Sequence, residues 1–371
     1  MQTKNVPFFD YKKVWTNQRN KLMKTIDDVA SSGGFILQKE LADFEKALAL
    51  YFESKYSVGV GNATDGMEIF LEAIGIDAGD EIIISSHTML ATASAIKMAG
   101  GVPIPVDIGD DNLICPNAIS EAIGPKTVGI MPTQLNGRTC AMDPIIAIAE
   151  KNSLFVVEDA AQALGSRYKG KCAGTFGLAS TISFFPAKVL GCLGDGGAVL
   201  VNDESIYKAI YQIHEHGRDV KTGEVMRWGR NSRLDNIQAA ILSLKLETYG
   251  ESIARRRDVA QIYHQRLNHL QELKLPQPPS LTDDHFDVFQ NYELVAERRD
   301  DLRSTLSKFG VGTLIQWGGH GIHHFKQLGF TESCPRTDLF FNGCLMLPMN
   351  DFISDDDVHY VCDVIRDFYR G

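Results

Sequence analysis

The sequence predicts an α/β protein of two domains: a large domain with a mostly parallel, mixed sheet between helices, and a smaller carboxyl-terminal α+β domain. Three observations lead to this prediction. Short apolar runs alternate with segments of helical periodicity over the first two-thirds of the chain. The 371 residues suffice for two to three domains at ~150 residues each, and the hydrophobic content of 44% is enough for a packed core. Beyond about residue 234 the composition changes to a long, charged, helix-favouring stretch.

The large domain is predicted over residues 1–245. Two helices are indicated around residues 44–51 and 67–74, where apolar residues recur at i, i+3, i+4 and i+7. Asp143 followed by Pro144 predicts another helix start, with Asp143 as the N-cap and Pro144 in the first helical position. Six short apolar runs are typical of strands buried on both faces, and they lie at residues 81–84, 102–106, 128–131, 154–157, 181–185 and 198–201.

The small domain is predicted over residues 246–371. Its predicted elements, in order, are a proline-rich loop at 276–279, a strand at 292–295, a helix at 302–309, a strand at 313–315 and a final helix at 355–369. This mixture of helices and strands without regular alternation indicates an α+β arrangement.

Composition and charge exclude several classes of function. With 37 basic and 47 acidic residues the net charge is −10, the wrong sign for a surface that neutralises nucleic-acid phosphates. No apolar run reaches the ~20 residues that span a bilayer, and the first residues lack the layout of a signal peptide. Seven scattered cysteines without a Cys-x-x-Cys pair suggest neither a disulfide framework nor a zinc knuckle. We therefore expect a soluble cytoplasmic protein that binds neither nucleic acid nor membrane.

The residues that indicate chemistry lie between residues 156 and 197. Asp159 follows an apolar run, at the strand end where open α/β sheets bind ligands, and Lys188 precedes a glycine-rich stretch at 191–197. A deprotonated lysine forms a Schiff base, and an aspartate can keep a pyridine nitrogen protonated. Taken singly, Lys188 is explained as a solvated strand end and Asp159 as a helix cap. Together they indicate pyridoxal phosphate.

The sequence resembles the DegT/DnrJ/EryC1/StrS family of sugar aminotransferases, which have the aspartate aminotransferase fold, fold type I. Three motifs carry the resemblance: Glu-Asp-Ala-Ala-Gln at 158–162, the segment 183–188 with the following Gly-Asp-Gly-Gly, and Asn-Ser-Arg-Leu-Asp at 231–235. Weaker support comes from residues 61–66 and 347–349. The resemblance extends over almost the whole chain.

The resemblance implies roles for four residues around the cofactor. Lys188 would form the internal aldimine and later move a proton between the amino-acid carbon and the cofactor, and Asp159 would hold the pyridinium. Gln162 would contact the ring hydroxyl or the ring face, although a helix-surface amide is the alternative. Ser183 would give its hydroxyl to the phosphate, or else is only a small residue in a buried strand.

The resemblance also implies a phosphate site shared between two subunits. Thr64 and the backbone amide of Asp65 lie at a predicted helix start, where free amides and the helix dipole favour an anion. Ordinary N-capping by Thr64 would leave the same pattern. Asn231 is similar to an asparagine that reaches the phosphate of the neighbouring subunit, so a homodimer is expected, while a turn residue is the alternative.

Two departures from the family pattern bear on the substrate. Met89 occupies the position where relatives have an aromatic ring or histidine stacked on the cofactor, and His87 lies two residues before it. Either Met89, whose thioether packs well on a ring, or His87 fills that role. Trp317 and His320 lie where many relatives have a tyrosine-proline segment near the sugar, so we expect a different substrate specificity.

Histidines at 320, 323 and 324 raise the question of a metal site. No cysteine or carboxylate motif of ligand spacing accompanies them, so we expect surface or substrate-pocket histidines and no metal.

Three arginines, Arg227, Arg230 and Arg233, surround Asn231. Their guanidinium groups match a donor carboxylate or a nucleotide diphosphate, and Arg230 is a candidate substrate contact. Arg233 is equally explained as a structural ion-pair partner.

The resemblance thus implies an aminotransferase that uses pyridoxal 5′-phosphate and its amine form, pyridoxamine phosphate. We expect glutamate to donate the amino group and leave as 2-oxoglutarate in ping-pong kinetics. The acceptor would be a nucleotide-linked sugar with a ketone at C3 or C4, in amino-sugar biosynthesis for lipopolysaccharide, O-antigen or another glycan.

Three alternatives remain at this point. A cyclitol ketone could replace the sugar with the same chemistry. A sugar 3-dehydratase of similar fold is disfavoured, because those relatives have histidine in place of the lysine at position 188. A non-catalytic regulatory relative would bind the cofactor without turnover.

Overall fold

The computed structural model describes residues 3–281 and 283–370. The helices are α1 Tyr11–Ser32, α2 Lys39–Phe52, α3 Ala63–Ile74, α4 Leu90–Met98, α5 Pro116–Ala122, α6 Met142–Lys151, α7 Glu204–His214, α8 Asn236–Leu246, α9 Tyr249–Leu267, α10 Arg299–Lys308, α11 Pro335–Gly343 and α12 Asp355–Arg370. The strands are β1 Tyr56–Val60, β2 Glu81–Ser85, β3 Val102–Val106, β4 Thr127–Met131, β5 Phe155–Val156, β6 Glu158–Asp159, β7 Arg167–Tyr168, β8 Lys171–Cys172, β9 Ala179–Ser183, β10 Gly197–Val201, β11 Leu273–Lys274, β12 His285–Phe286, β13 Tyr292–Ala296 and β14 Cys344–Leu347.

The large domain has a mixed sheet with helices packed against it, and the predicted α/β class is confirmed. Strands β3, β2, β4 and β5 pair in parallel in that order. Strand β6 pairs in parallel with β9, whereas β10 is antiparallel to both β9 and β1. Only Val157 separates β5 from β6, so they are successive pieces of one strand that joins the two halves of the sheet.

The smaller core forms around the antiparallel sheet β11–β13–β14. Helix α9 contacts both cores, because Tyr249 and Ile253 pack with the large domain and Val259 and Tyr263 pack with the small one. The predicted boundary between residues 245 and 246 falls at the end of α8, just before this change of core. The amino-terminal Val6 also packs in the smaller core.

Two predicted elements differ from the structure. Residues 313–315 do not form a strand, since Leu314 makes only an isolated bridge to Met346, which lies in the unpredicted strand β14. Helix α6 begins at Met142 with Ala141 as its N-cap, so Asp143 is not the cap. Proline is tolerated there because first-turn amides lack intrahelical acceptors.

The sheet edges and helix starts determine where the site lies. The carboxyl ends of β4, β6 and β9 meet the first turns of α3 and α4 at one end of the sheet. Within the described residues, no helix combines the length and apolar character that a membrane crossing requires.

Candidate active site

A cavity of about 470 Å³ opens where these strand ends and helix starts meet. It brings together seven of the residues predicted from sequence, which are Thr64, Met89, Asp159, Gln162, Ser183, Lys188 and Trp317. Asp65, His87, Arg230, Asn231 and His320 do not line it.

Lys188 is held in the turn that follows β9. Its backbone N–H donates to the Phe185 carbonyl at 2.8 Å, and its half-buried side chain reaches the cavity. A Cβ at Gly191 would lie 2.7 Å from the Pro186 carbonyl oxygen, so the turn requires glycine there. Burial lowers the pKa of Lys188 to about 8, with the carboxylate of Asp159 acting in the opposite direction. A large fraction of the amine is therefore neutral and nucleophilic near pH 8.

Asp159 is the buried carboxylate of the cavity and ends β6. Its Oδ2 accepts a hydrogen bond from Thr92 Oγ1 at 2.7 Å, and its Oδ1 accepts from the Ala161 N–H at 3.1 Å. Burial raises the pKa of Asp159, while these two hydrogen bonds and the positive charge of Lys188 lower it. The cavity thus presents an amine and a carboxylate, each of which favours the charged form of the other.

The opposite part of the cavity is formed by the start of α3 and the end of β9. The N-cap of α3 is Asn62, whose Oδ1 accepts from the Asp65 N–H at 2.9 Å, so capping by Thr64 is wrong. Gly197 pairs with Ser183 and passes so close to α3 that a Cβ would lie 2.6 Å from the Asn62 carbonyl carbon. Thr64 and the Ser183 hydroxyl consequently face one region at a helix amino terminus, which favours an anion.

The predicted contact at Asp65 is occupied by protein groups. Its N–H donates to Asn62, and its carboxylate accepts from Ser232 Oγ at 2.6 Å. An anion would have to displace the Asn62 cap to use this amide.

Gln162 lies in a turn after β6, so the helix-surface alternative is wrong. Its Oε1 accepts from the Asn136 N–H at 3.1 Å and from Asn291 Nδ2 at 3.4 Å. Both bonds fix the amide at the wall of the cavity.

The structure separates the two candidates for the ring-stacking role. Met89 is the N-cap of α4, and its side chain is exposed and lines the cavity. His87 is buried behind it, where its Nδ1 bonds with the Asn112 carbonyl at 2.8 Å and its ring packs on Phe340. His87 borders a second cavity of about 340 Å³ instead. The structure thus contradicts a stacking role for His87 and leaves Met89.

Trp317 reaches the cavity from an unusual backbone conformation. Trp317, Gly318 and Gly319 have φ of 47°, 68° and 82°, and the left-handed region is strained for a bulky residue such as tryptophan. The ring of His87 packs edge-on against the indole at 5.3 Å. His320, three residues on, is exposed and does not line this cavity, so its contact with the substrate stays a prediction.

Two of the three arginines around Asn231, Arg230 and Arg233, are ion-paired within the chain. Arg230 contacts both Glu68 and Glu72 of α3, with 2.6 Å to Glu68, and Arg233 lies 2.8 Å from Glu215. Arg230 thus holds the end of the 217–231 loop against α3, and Arg233 joins the segment after the loop to the end of α7. These ion pairs give Arg230 a structural role, and its contact with the substrate stays a prediction.

The three ligand-type groups of His323, His324 and Asp338 lie within 4.8 Å of one another. His324 Nδ1 accepts from the Gly321 N–H at 3.0 Å, so its Nε2 carries the proton that is donated to Asp338 at 2.6 Å. A metal ion bound to Nε2 would move the ring proton to Nδ1. That N–H would then point at the N–H of Gly321, which is unfavourable. Hydrogen bonding accounts for this cluster.

Sequence reasoning missed Asn62 and Thr92. Asn62 stands three residues before the N–H that it caps, a spacing that the sequence does show. The contact of Thr92 with Asp159 joins residues 67 positions apart, and no local pattern predicts it.

The chain is similar to known proteins over nearly its whole length. The profile of the DegT/DnrJ/EryC1/StrS aminotransferase family matches residues 16–366. The chain is 36% identical over 370 residues to the pleiotropic regulatory protein of Geobacillus stearothermophilus, covering 99% of each. It is 33% identical to the dTDP-3-amino-3,4,6-trideoxy-alpha-D-glucose transaminase of Streptomyces venezuelae, covering 99% of this chain and 97% of that protein. The crystal structure of S. venezuelae DesV in complex with a ketimine intermediate superposes with a TM-score of 0.94 at 33% identity, covering 100% of both chains.

Proposed function

The chain belongs to the DegT/DnrJ/EryC1/StrS aminotransferase family, and we propose that it transfers the amino group of glutamate to the C3 or C4 ketone of a nucleotide-linked sugar. It is a sugar aminotransferase that depends on pyridoxal phosphate. The glutamate donor, the nucleotide link and the carbon that receives the amine constitute the proposal. The transaminase relative from S. venezuelae, named for a dTDP-linked 3-amino sugar, supports a nucleotide-linked acceptor.

One observation carries the proposal: Lys188 and Asp159 face the same cavity, with the amine and the carboxylate within electrostatic reach of each other. This pair fits pyridoxal phosphate, because the lysine has a lowered pKa and the carboxylate is buried. When bound, the cofactor supplies the electron sink that allows an amino group to be exchanged for a carbonyl oxygen.

Five residues of this chain would have separate roles toward the bound cofactor. Lys188 Nζ would hold the cofactor covalently and, once released, would accept and return a proton at the reacting carbon. Asp159 would hold a proton on the ring nitrogen through its opposite charge. Thr64 and Ser183, which line one end of the cavity, would bind the phosphate, and Met89 would cover the ring face.

We also propose that the active unit is a homodimer with shared sites. The loop at 217–231 leaves four apolar side chains exposed, Val220, Val225, Met226 and Trp228, the last of them 97% exposed. Asn231, at the end of this loop, is exposed and lies outside the cavity of its own chain. A second copy would cover the loop and place Asn231 at the partner's phosphate region.

Amino transfer to a panel of UDP-, dTDP-, GDP- and CDP-linked keto-sugars tests the proposed function. The purified protein is loaded with pyridoxal phosphate and incubated with glutamate and each keto-sugar, and the products are identified by mass spectrometry. One amino sugar formed in preference to the others would support the proposal, and no amine in any series would contradict it.

A regulatory role is the second candidate, because the 36% identical relative is named a pleiotropic regulatory protein. A protein of that kind would bind the cofactor without turning over any keto-sugar. Retention of the lysine at 188 and of an open cavity favours catalysis.

A further inference from the structure

Three buried threonines form a hydrogen-bonded chain that ends on Asp159. Thr92 Oγ1 lies 2.7 Å from Asp159 Oδ2, Thr88 Oγ1 lies 2.8 Å from Thr92 Oγ1, and Thr133 Oγ1 lies 2.8 Å from Thr88 Oγ1. All three hydroxyl-bearing side chains are at most 4% exposed. This row of threonines follows the wall of the cavity. Thr88 and Thr133 line the cavity, and Thr92 lies behind them.

When Asp159 is ionised, its carboxylate fixes the direction of all three bonds. A carboxylate only accepts, so the single proton of Thr92 points to Asp159. The proton of Thr88 must then point to Thr92, and the proton of Thr133 to Thr88. Hydroxyls aligned in this way polarise one another and strengthen the terminal bond.

The three threonines lie on the elements that form the site. Thr92 lies in the first turn of α4, Thr88 precedes that helix, and Thr133 forms a parallel bridge with Asp159 itself. The backbone carbonyl of Asp159 also accepts from the Gln134 N–H at 2.8 Å. Both the position and the bonding of the carboxylate are thus set by α4 and the end of β4.

We propose that Thr92, supported by Thr88 and Thr133, is a positioning residue that keeps Asp159 ionised and aimed at the cofactor's ring nitrogen. The proposal rests on the proposed function. Burial favours the neutral carboxyl, and of the groups around Asp159 the threonine hydroxyl, the Ala161 amide and Lys188 favour the charge.

The test compares Thr92→Val, which removes the hydroxyl at similar volume, with Thr92→Ser, which keeps it. Apoenzyme is titrated with pyridoxamine phosphate between pH 5 and pH 9, and its dissociation constant is measured by fluorescence. We expect affinity in the wild type to fall as the pH drops and Asp159 takes up a proton. A hydrogen bond to a charged group is worth about 1.5–3 kcal/mol, so in Thr92→Val this fall should begin roughly one to two pH units higher. Thr92→Ser should follow the wild type.

Thr88→Val removes a hydroxyl from the same row of hydrogen bonds, one bond further from the carboxylate. It replaces Thr92→Val in the test if Thr92→Val does not fold. We expect a shift in the same direction but smaller. A pH dependence unchanged in Thr92→Val, or in Thr88→Val where Thr92→Val does not fold, would overturn the inference. So would an equal shift in Thr92→Val and Thr92→Ser.

Asp159→Asn separates this inference from the proposed function. In that background the pH-dependent fall should be absent, and adding Thr92→Val should change nothing further. If Asp159→Asn binds pyridoxamine phosphate with the wild-type pH dependence, Asp159 does not face the cofactor and the proposed site fails. If Asp159→Asn loses that dependence while Thr92→Val keeps it, only the role of Thr92 fails.

Discussion

At the residue scale, burial acts on Lys188 and Asp159 in the same sense, because it favours the uncharged form of each. The groups that oppose this effect of burial differ. Asp159 accepts hydrogen bonds from Thr92 and Ala161, whereas the pKa of Lys188 is raised only by the field of Asp159. Lys188 gives up its charge near pH 8, as a nucleophilic amine requires.

We predict that Lys188 in the apoenzyme reacts with an acylating reagent far below the pH at which ordinary lysines react. Only the neutral amine is nucleophilic, so the rate at Lys188 should be half its maximum near pH 8. Lys169 is the internal control, because Asp143 raises its pKa and keeps it charged. Residue-resolved mass spectrometry after brief labelling from pH 6 to pH 11 measures both. Parallel labelling of Lys188 and Lys169 would show that Lys188 is not desolvated.

The residues that face the cavity could be predicted from the sequence, whereas the residues that hold them in position could not. Lys188, Asp159 and Ser183 follow strand ends that are visible as apolar runs, and parallel strand ends meet at one edge of a sheet. The roles of Thr92 and Asn136 depend on contacts between distant segments. The ion pairs of Arg230 with α3 could not be predicted either, because a guanidinium group fits a substrate phosphate and a protein carboxylate equally well.

At the element scale, the close approach of β10 to the start of α3 positions the anion-binding end of the cavity. Gly197 permits this approach, because a Cβ there would lie 2.7 Å from the Ala63 amide nitrogen. The same strand pairs with β9 and so fixes Ser183 beside the helix terminus.

We predict that Gly197→Ala destabilises the protein by about 1–3 kcal/mol, the usual cost of overpacking, and weakens binding of pyridoxamine phosphate. Denaturant unfolding and fluorescence titration measure the two effects. Gly250→Ala in α9 is the matched control, because its Cβ would have no neighbour within 4 Å. It should leave binding unchanged and stability equal or higher, since alanine favours a helix. Equal stability of Gly197→Ala and the wild type would contradict the role given to this approach.

There are physical reasons why some elements could not be predicted from the sequence. Helix α1 shows little apolar periodicity, since only Leu22 and Val29 of its 22 residues are buried. Residues 313–315 and strand β14 are both short apolar runs, and only the tertiary pairing with β13 decides which becomes a strand. Strongly periodic segments such as α3 and the runs at β2 and β3 needed no such context, and they were predicted correctly.

At the scale of the whole molecule, the exposed loop at 217–231 supports the proposed homodimer. A fully exposed tryptophan among further exposed apolar side chains is typical of a surface that another chain covers. Ion pairs from Arg230 to Glu68 and Glu72 of α3 hold the end of this loop in place.

We predict complementation between two inactive variants if Asn231 serves the partner's site. In a heterodimer of Lys188→Ala with Asn231→Asp, one site carries both lesions and the other carries none. Subunit exchange should restore about half of wild-type activity to each heterodimer and roughly a quarter to a statistical mixture, by the symmetry of a two-fold dimer.

The matched control mixes Lys188→Ala with Asp159→Asn. Both residues line one cavity of the same chain, so each site in that heterodimer keeps one lesion and activity should not recover. If Lys188→Ala and Asn231→Asp exchange subunits without any recovery, Asn231 does not complete the partner's site.

The central claim is that Lys188 exchanges an amino group between glutamate and a nucleotide-linked keto-sugar. The most direct measurement follows nitrogen from ¹⁵N-labelled glutamate in the presence of the keto-sugar panel. We predict that the label appears in one amino sugar while an equal amount of 2-oxoglutarate forms, and that Lys188→Ala gives neither product. Absence of labelled amino sugar from the wild-type holoenzyme, or continued transfer by Lys188→Ala, would contradict the account.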